Sequence, residues 1–385
     1  MVAGPWAGTL LADLGAEVIK IEQPKGGDRM RLLGHRVGSI GAMWAGVNRG
    51  KRSAVFDLQQ PQGVELLKSL VAGSDVFIQN FRPGVAARLG IDEPALRAVN
   101  PRLIYVSVSG FGDTGPYIDQ KSYDYVVQAL SGMAALQAGP DGEPALIRNI
   151  VIDKVTAMTA LQAILAALLA RERGVGGQHI RVSMIDAALA FLWPDGMMQH
   201  TLLADDGRVT PGPHMVDGYL IRRTADSHLA LLATSNSQFP GLCAALGTQR
   251  WLTDPRFATQ ADRDANVAKL NELMGAEIAK HPGVALRDVL HANDVPCALI
   301  AQLADVHLDP QVRHNATLVE HERPWLGAVR EPRPPALFSA TPTSLGRHAP
   351  TLDEHTDEVL AELGHSPESI AALRAGGTVG ARKSK

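Results

Sequence analysis

Asp153 is the residue of this chain whose setting most suggests chemistry. It follows the apolar run Ile150-Val151-Ile152 and precedes an uncharged helical stretch, Val155 to Ala170. A carboxylate at a helix start can serve as an N-cap, accepting a backbone N–H. Beside the positive end of the helix dipole, it can equally be held as an anionic nucleophile. The residues alone leave both readings open. Other chemistries lack their patterns. The 13 histidines are scattered without a His-Glu-x-x-His pair, and His307 and His314, near Asp305 and Asp309, complete no metal-ligand spacing. Val106-Ser107-Val108-Ser109-Gly110 does not make a nucleophile elbow. Gly174-Val175-Gly176-Gly177 follows a helix instead of opening one, so it reads as a C-cap and turn and not as a phosphate loop.

The elements that must hold such a residue alternate in the first half of the chain. Strand-like runs at 17–21, 53–58, 75–79, 103–108 and 179–184 are separated by helical runs at 7–15, 61–72, 94–99, 123–135 and 155–173. That alternation predicts an α/β fold with a Rossmann-like parallel sheet. The pattern changes after the Gly/Pro/Asp-rich stretch Asp205 to Pro213. A hairpin (218–223 and 228–234), helices at 239–246, 265–280 and 284–291, and a strand at 296–301 predict a smaller α+β domain. Helices at 356–363 and 367–375 are expected to return to the first domain. The boundaries are therefore 1–204 with 330–385 for the large domain and 205–329 for the small one, and the tail Ala381 to Lys385 is expected to fray.

Composition excludes several classes. Of 385 residues 45% are hydrophobic, 20% charged and 5% aromatic, which excludes collagen, coiled coil and wholesale disorder. The net charge is 37 − 40 = −3 without a charged block, so neither nucleic acid nor an anionic membrane is an expected partner. Ala157 to Ala170, interrupted by Thr159 and Gln162, reads as a buried helix too short to span a bilayer. Met1 to Pro5 carries no basic region followed by an apolar run, so no signal peptide is expected. Cys243 and Cys297 form neither a disulfide framework nor a metal-binding spacing, so a cytoplasmic location is expected.

Six blocks then carry a resemblance to a family. They are Gly4-Pro5-Trp6-Ala7-Gly8 with Leu11 to Glu22, and Asn48-Arg49-Gly50-Lys51-Arg52-Ser53 with Asp57-Leu58. Next come Asn80-Phe81-Arg82-Pro83-Gly84 with Arg88-Leu89-Gly90, and Tyr123-Asp124 with Gln128 to Gly132. Asp153 with Ala166 to Leu168, Arg171, Gly176 to Gln178 and Asp186-Ala187, and Glu354 to Leu360, complete the set. In order and in spacing these resemble the class III CoA-transferases, the CaiB/BaiF family, over nearly the whole chain. The resemblance implies an interlocked homodimer of two ring-shaped chains, coenzyme A as co-substrate with no tightly bound cofactor, and acyl-CoA and carboxylic acid as substrates. Asp153 matches the family's nucleophile. Val2 and Ala3 match the point where backbone approaches the carrier. Phe56, Asp57, Leu58 and Gln59, with Asn80, Phe81 and Arg82, match segments lining the adenine and pantetheine path. Arg88 matches a phosphate-pairing position, and Lys121, Ser122, Tyr123 and Asp124 match a segment near the thioester.

The chain departs from the family in three places. It starts at the Gly-Pro motif, where members have a preceding strand, so the sheet is expected to lack one member and the carrier site one wall. Gln23 stands where some members carry a basic residue near the CoA phosphates. The glycine-rich loop of the formyl-CoA transferase branch has no counterpart in 205–234. An α-methylacyl-CoA racemase is the rival within the superfamily. It needs a His-Asp acid/base pair, and this chain has Ser122-Tyr123-Asp124 in place of Gly-His-Asp. A tyrosine with pKa of about 10 is a poor base at neutral pH. A non-catalytic shortened member is the rival of another class.

Overall fold

The computed structural model describes residues 2–139, 142–204, 207–210, 212, 220–233, 235–324 and 326–380. Much of the expected 205–213 linker, the start of the 218–223 strand, Thr234 and the 381–385 tail lie outside the described residues. The chain divides into two compact units, 1–192 with 314–385, and 193–313.

The first unit opens with α1 (Ala3–Asp13), β1 (Val18–Glu22), the short pair β2 (Arg36–Val37) and β3 (Ile40–Gly41), α2 (Ala42–Asn48) and β4 (Lys51–Val55). It continues with α3 (Pro61–Ala72), β5 (Val76–Gln79), α4 (Val85–Arg88), α5 (Glu93–Val99) and β6 (Ile104–Ser109). Then come α6 (Asp124–Leu130), α7 (Met133–Leu136), α8 (Val151–Glu172), β7 (Gln178–Ser183) and α9 (Met184–Gly196). The second unit contains β8 (Ile221–Arg223), β9 (His228–Leu231), α10 (Phe239–Ala245), α11 (Gln260–Ala265), α12 (Val267–Ile278), α13 (Gly283–Ala292), β10 (Cys297–Leu299) and α14 (Pro310–His314). The chain then returns through the hairpin β11 (Leu318–Arg323) and β12 (Gly327–Pro332), α15 (Thr356–Glu362) and α16 (Pro367–Ala375).

The mixed α/β reading holds. β1 pairs with β4 in parallel, from Val18↔Lys51 to Glu22↔Val55. β5, β6 and β7 make a second parallel sheet, with Val76↔Ile104 and Ile104↔Gln178 in register. Among the described residues β1 pairs only with β4 and β5 only with β6, while α1 touches both β1 and β5. β6 is buried on both faces, as parallel strands covered by helices are. Leu103 and Tyr105 point into a core with Phe56, Leu67, Ile91 and Leu96, and Ile104, Val106 and Val108 into another with Leu11 and Ile164. The second unit has its own core around Phe239, Trp251, Phe257 and Leu290 beside the antiparallel order β10-β9-β8.

The C-terminal segment closes the outer edge of β4. Ser53 accepts from His355 N at 2.9 Å and its own N–H donates to His355 Nδ1 at 3.3 Å. Val55 N donates to Thr356 Oγ1 at 2.9 Å, Asp57 N to Thr378 O at 2.8 Å, and Phe56 bridges Val379. A strand edge whose donors and acceptors are satisfied in this way is no longer a template for stray pairing.

Several expectations need correction. The helix expected at 123–135 is two, α6 and α7, because Gly132 adopts a φ of 85° between them. The helix expected at 265–280 is present as α12, and a separate α11 with its own Thr259 capping box, which was not expected, precedes it. α8 starts at Val151, not at Val155, and at 22 residues is long and apolar enough to cross a membrane by length and composition alone. The view that it is too short is thus overturned, yet one face, Ile152, Ala157, Ala160, Ile164 and Ala167, is buried, and the helix packs on α1, β6 and β7. The domain boundaries were placed at 204 and 330, whereas the units divide at 192 and 314. The β11–β12 hairpin belongs to the first unit, tied there by Arg323 Nη1 to Gly346 O at 3.0 Å.

Candidate active site

Two helix starts meet at Asp153. Val2 is the N-cap of α1 and offers no side-chain cap, so Ala3 N–H, the first of the unpaired helix donors, needs an outside partner. Asp153 Oδ1 accepts it at 3.0 Å. α8 has the same deficiency, since its N-cap is Ile150. Asp153 is therefore not the N-cap the sequence suggested. It is the third residue of the helix, and its own backbone N–H donates to Asp124 Oδ2 at 2.9 Å. Asp124, the first residue of α6, caps α8 from a neighbouring helix and leaves the Asp153 carboxylate for other use.

Gln128, one turn along α6, holds Asp124 in place. Its Nε2 donates to Asp124 Oδ1 at 2.6 Å and to the carbonyls of Asn149 at 3.1 Å and Ile147 at 3.3 Å. Its Oε1 accepts from Ile147 N at 2.9 Å. Gln128 stands in the same sequence block as Asp124 but was not among the expected site residues, although the i, i+4 spacing of Asp124 and Gln128 is a signal for such a bond. Asp124 and Gln128 are buried, and Asp153 is partly buried. Burial pushes the Asp153 carboxyl above the usual aspartate range, and the Asp124 carboxylate adds to the shift while the Ala3 N–H opposes it. The result is a poorly hydrated anion with one oxygen held by a helix N-terminus.

The other expected residues lie at several places in the first unit. The Asn80 side chain lies against Gly4 in the first turn of α1, so close that a Cβ there would sit 3.3 Å from Asn80 Cγ. Phe81 N donates to Gln79 Oε1 at 2.8 Å, and Phe81 and Arg82 are exposed. Ser122 packs over Gly110 at the end of β6, where a Cβ would collide with its Oγ. Tyr123 is exposed and stacks on Tyr125, rings 6.0 Å apart and 8° from parallel. Lys121 is exposed and makes no hydrogen bond or ion pair among the described residues.

Leu58, Gln59 and Arg88 come together in a groove of about 400 Å³ with Pro61, Val64 and Leu89. The Arg88 guanidinium is exposed there and makes no hydrogen bond or ion pair among the described residues, a donor set suited to a phosphate. Asp57 shapes the turn beneath it by accepting from Gln59 N and Gln60 Nε2, each at 3.1 Å. Four expected positions do not present side chains to this region. Phe56 is 1% exposed and belongs to the core, because β4 turns it inward. Val2 and Ala3 are also buried, which leaves only backbone to face a ligand. Gln23 bonds within its own turn, to Gly27 O at 3.0 Å.

This arrangement suits acyl transfer through a carboxylate. Proton abstraction at a carbon would need a second base, and among the described residues no histidine hydrogen-bonds to Asp153 or Asp124. Known proteins identify the family. The sequence profile of CoA-transferase family III matches residues 1–356. A succinate–glutarate CoA-transferase of Agrobacterium fabrum is 36% identical over 370 residues, 94% of this chain and 92% of that protein. An acetyl-CoA:oxalate CoA-transferase of Acetobacter aceti is 35% identical over 95% of this chain and 93% of its own length. Among solved structures, a CaiB/BaiF family protein from Brucella suis superposes with a TM-score of 0.81 at 34% identity, covering 94% of this chain and 96% of that one. With the order of the sequence blocks, the parallel α/β unit and the Asp153 centre all pointing the same way, the chain belongs to CoA-transferase family III.

Proposed function

We propose that the protein moves coenzyme A from an acyl-CoA donor to a free carboxylic acid through a thioester on Asp153. A carboxylate oxygen of Asp153 attacks the donor acyl carbon and the carbon–sulfur bond breaks, giving a mixed anhydride and CoA thiolate. The thiolate attacks the Asp153 carbonyl carbon, and the donor leaves as its carboxylate. The acceptor carboxylate then attacks the aspartyl thioester, again expelling thiolate, which attacks the acceptor's acyl carbon and frees Asp153. No step is a hydrolysis, so the thioester energy is conserved. Ala3 N–H, already on Oδ1, remains with that oxygen, Oδ2 having made the attack, as Oδ1 gains negative charge in the two tetrahedral intermediates centred on the Asp153 carbonyl carbon.

The carrier follows from the same centre. Arg88 in its groove suits a nucleotide phosphate, Asn80 to Arg82 the pantetheine arm, and Lys121 to Asp124 the thioester end. CoA is a co-substrate and no tightly bound cofactor is required. The acids in the relatives' names, succinate, glutarate and oxalate, are dicarboxylic, which supports a short dicarboxylate as acceptor. The large domain carries the site, and the working form is an interlocked homodimer in the cytoplasm.

The observation that carries this reading is the Asp153 carboxylate held by Ala3 N–H where α1 and α8 begin. Turnover with acyl-CoA in the presence of hydroxylamine tests it. Peptide mass spectrometry should find a hydroxamate on Asp153, and Asp153→Ala should abolish transfer. A variant that keeps transferring CoA, or trapping on another residue, excludes the proposed route.

A further inference from the structure

Lys51 opens β4 and is 1% exposed. Its Nζ donates to Pro5 O at 2.6 Å, Asn48 Oδ1 at 2.8 Å and Val47 O at 3.0 Å. All three ammonium donors are spent, and every acceptor is neutral. Among the described residues Lys51 makes no ion pair. A charge buried without a counter-ion is a poor stability device, and an apolar side chain of similar volume commonly serves as well or better. What the ammonium does that an apolar chain cannot is aim three directed bonds at two elements. Val47 and Asn48 are the last residues of α2, and Pro5 lies in the first turn of α1. Thr9 braces the same two carbonyls, donating its hydroxyl to Val47 O and to Pro5 O.

We infer that Lys51 is a positioning residue for CoA transfer: it clamps the first turn of α1 to the last turn of α2 and so holds the Ala3 N–H against Asp153. Pro5 is two residues beyond Ala3, so the clamp and the Asp153 contact share one helical turn. The inference rests on the proposed role of Asp153. Burial pushes the Lys51 amine well below the usual lysine range, with Lys20 adding to the shift and Asp28 and Glu22 opposing it. A neutral amine keeps two donors for three acceptors, so one strut of the clamp is lost when Lys51 deprotonates.

The test uses the whole enzyme and begins with hydroxylamine trapping on the wild type. Failure to trap Asp153 would remove the catalytic reading itself and does not depend on Lys51. With trapping established, Lys51→Met and Lys51→Arg are compared with the wild type for fold by circular dichroism, and for kcat and KM across neutral to alkaline pH. In the folded methionine variant kcat should fall on the order of 10- to 100-fold while KM for acyl-CoA stays within about twofold, the pattern of a misplaced catalytic group. Wild-type kcat should decline reversibly at alkaline pH without loss of fold. Lys51→Arg, which stays charged, should move that decline to higher pH, and Lys51→Met should lack it. A folded methionine variant of wild-type kcat, a change confined to KM, or an alkaline decline unmoved by arginine would each overturn the inference. Should the methionine variant not fold, the arginine profile decides.

Discussion

The setting of Asp153 costs stability, as befits the nucleophile it is proposed to be. Its carboxyl sits above the usual aspartate range because burial disfavours the anion. A folded-state pKa above the unfolded one means that any stability the protonated group contributes is present at low pH and lost as pH rises through the folded value. At neutral pH the ionised Asp153 therefore detracts from folding. Asp153→Asn keeps an oxygen for the Ala3 N–H and removes the charge, so we expect no transfer activity together with an equal or higher melting temperature at neutral pH. A clear drop in melting temperature would show that the carboxylate is a structural member of the α1–α8 contact. The residue-scale site was legible in part. Asp153, Asp124, Asn80 and Arg88 stand out from their sequence blocks, but that Asp124 caps α8 in place of Asp153 depends on how α6 lies against α8, which no local pattern encodes.

The strands and helices of the parallel unit were readable because each has a period and a boundary residue of its own. α3 begins at Pro61 and α16 at Pro367, as read. Less readable was what lacks such marks. α9 follows β7 without an intervening turn, and the β11–β12 hairpin is rich in charged residues, so its pattern is one of ion pairs, such as Arg330 to Glu320 at 2.7 Å, and not of core burial. At the edge of β4 the pairing partner is a histidine ring, not a strand. His355 Nδ1 must be unprotonated to accept Ser53 N–H, and burial lowers the His355 pKa below its usual value, with Glu354 and Glu358 opposing. The stability this contact adds is present above about pH 6.5, the unfolded histidine value, and is lost as pH falls toward the folded one. We expect His355→Gln, which offers an acceptor without a titration, to flatten the decline of melting temperature over that acidic window. Identical pH slopes for the two proteins would show that His355 is not the titrating group.

At the scale of the molecule, α8 presents Met158, Leu165 and Leu169 on its uncovered side, at 53%, 45% and 54% exposure. An apolar stripe at helical spacing calls for a cover. The proposed homodimer provides one, so light scattering at low micromolar concentration should give twice 41.0 kDa, and Leu165→Glu should lower the yield of that species. A folded, active monomer would refute the assembly. The order in which the units close follows from the edge of β4. The second unit is one unbroken stretch, 193–313, and holds its core within it. The first is split, and Val55 finds its partner Thr356 only 301 positions later in the chain. During synthesis domains generally fold as units, the earlier-made ones first. Here the part that is encoded in the middle can fold first, while the strand made near the beginning waits, its edge open, until residues 355–380 have been added. A ribosome halted before that point would carry a finished insert inside an unfinished host, with Lys51 to Val55 as the exposed, adhesive strand that a chaperone has to guard.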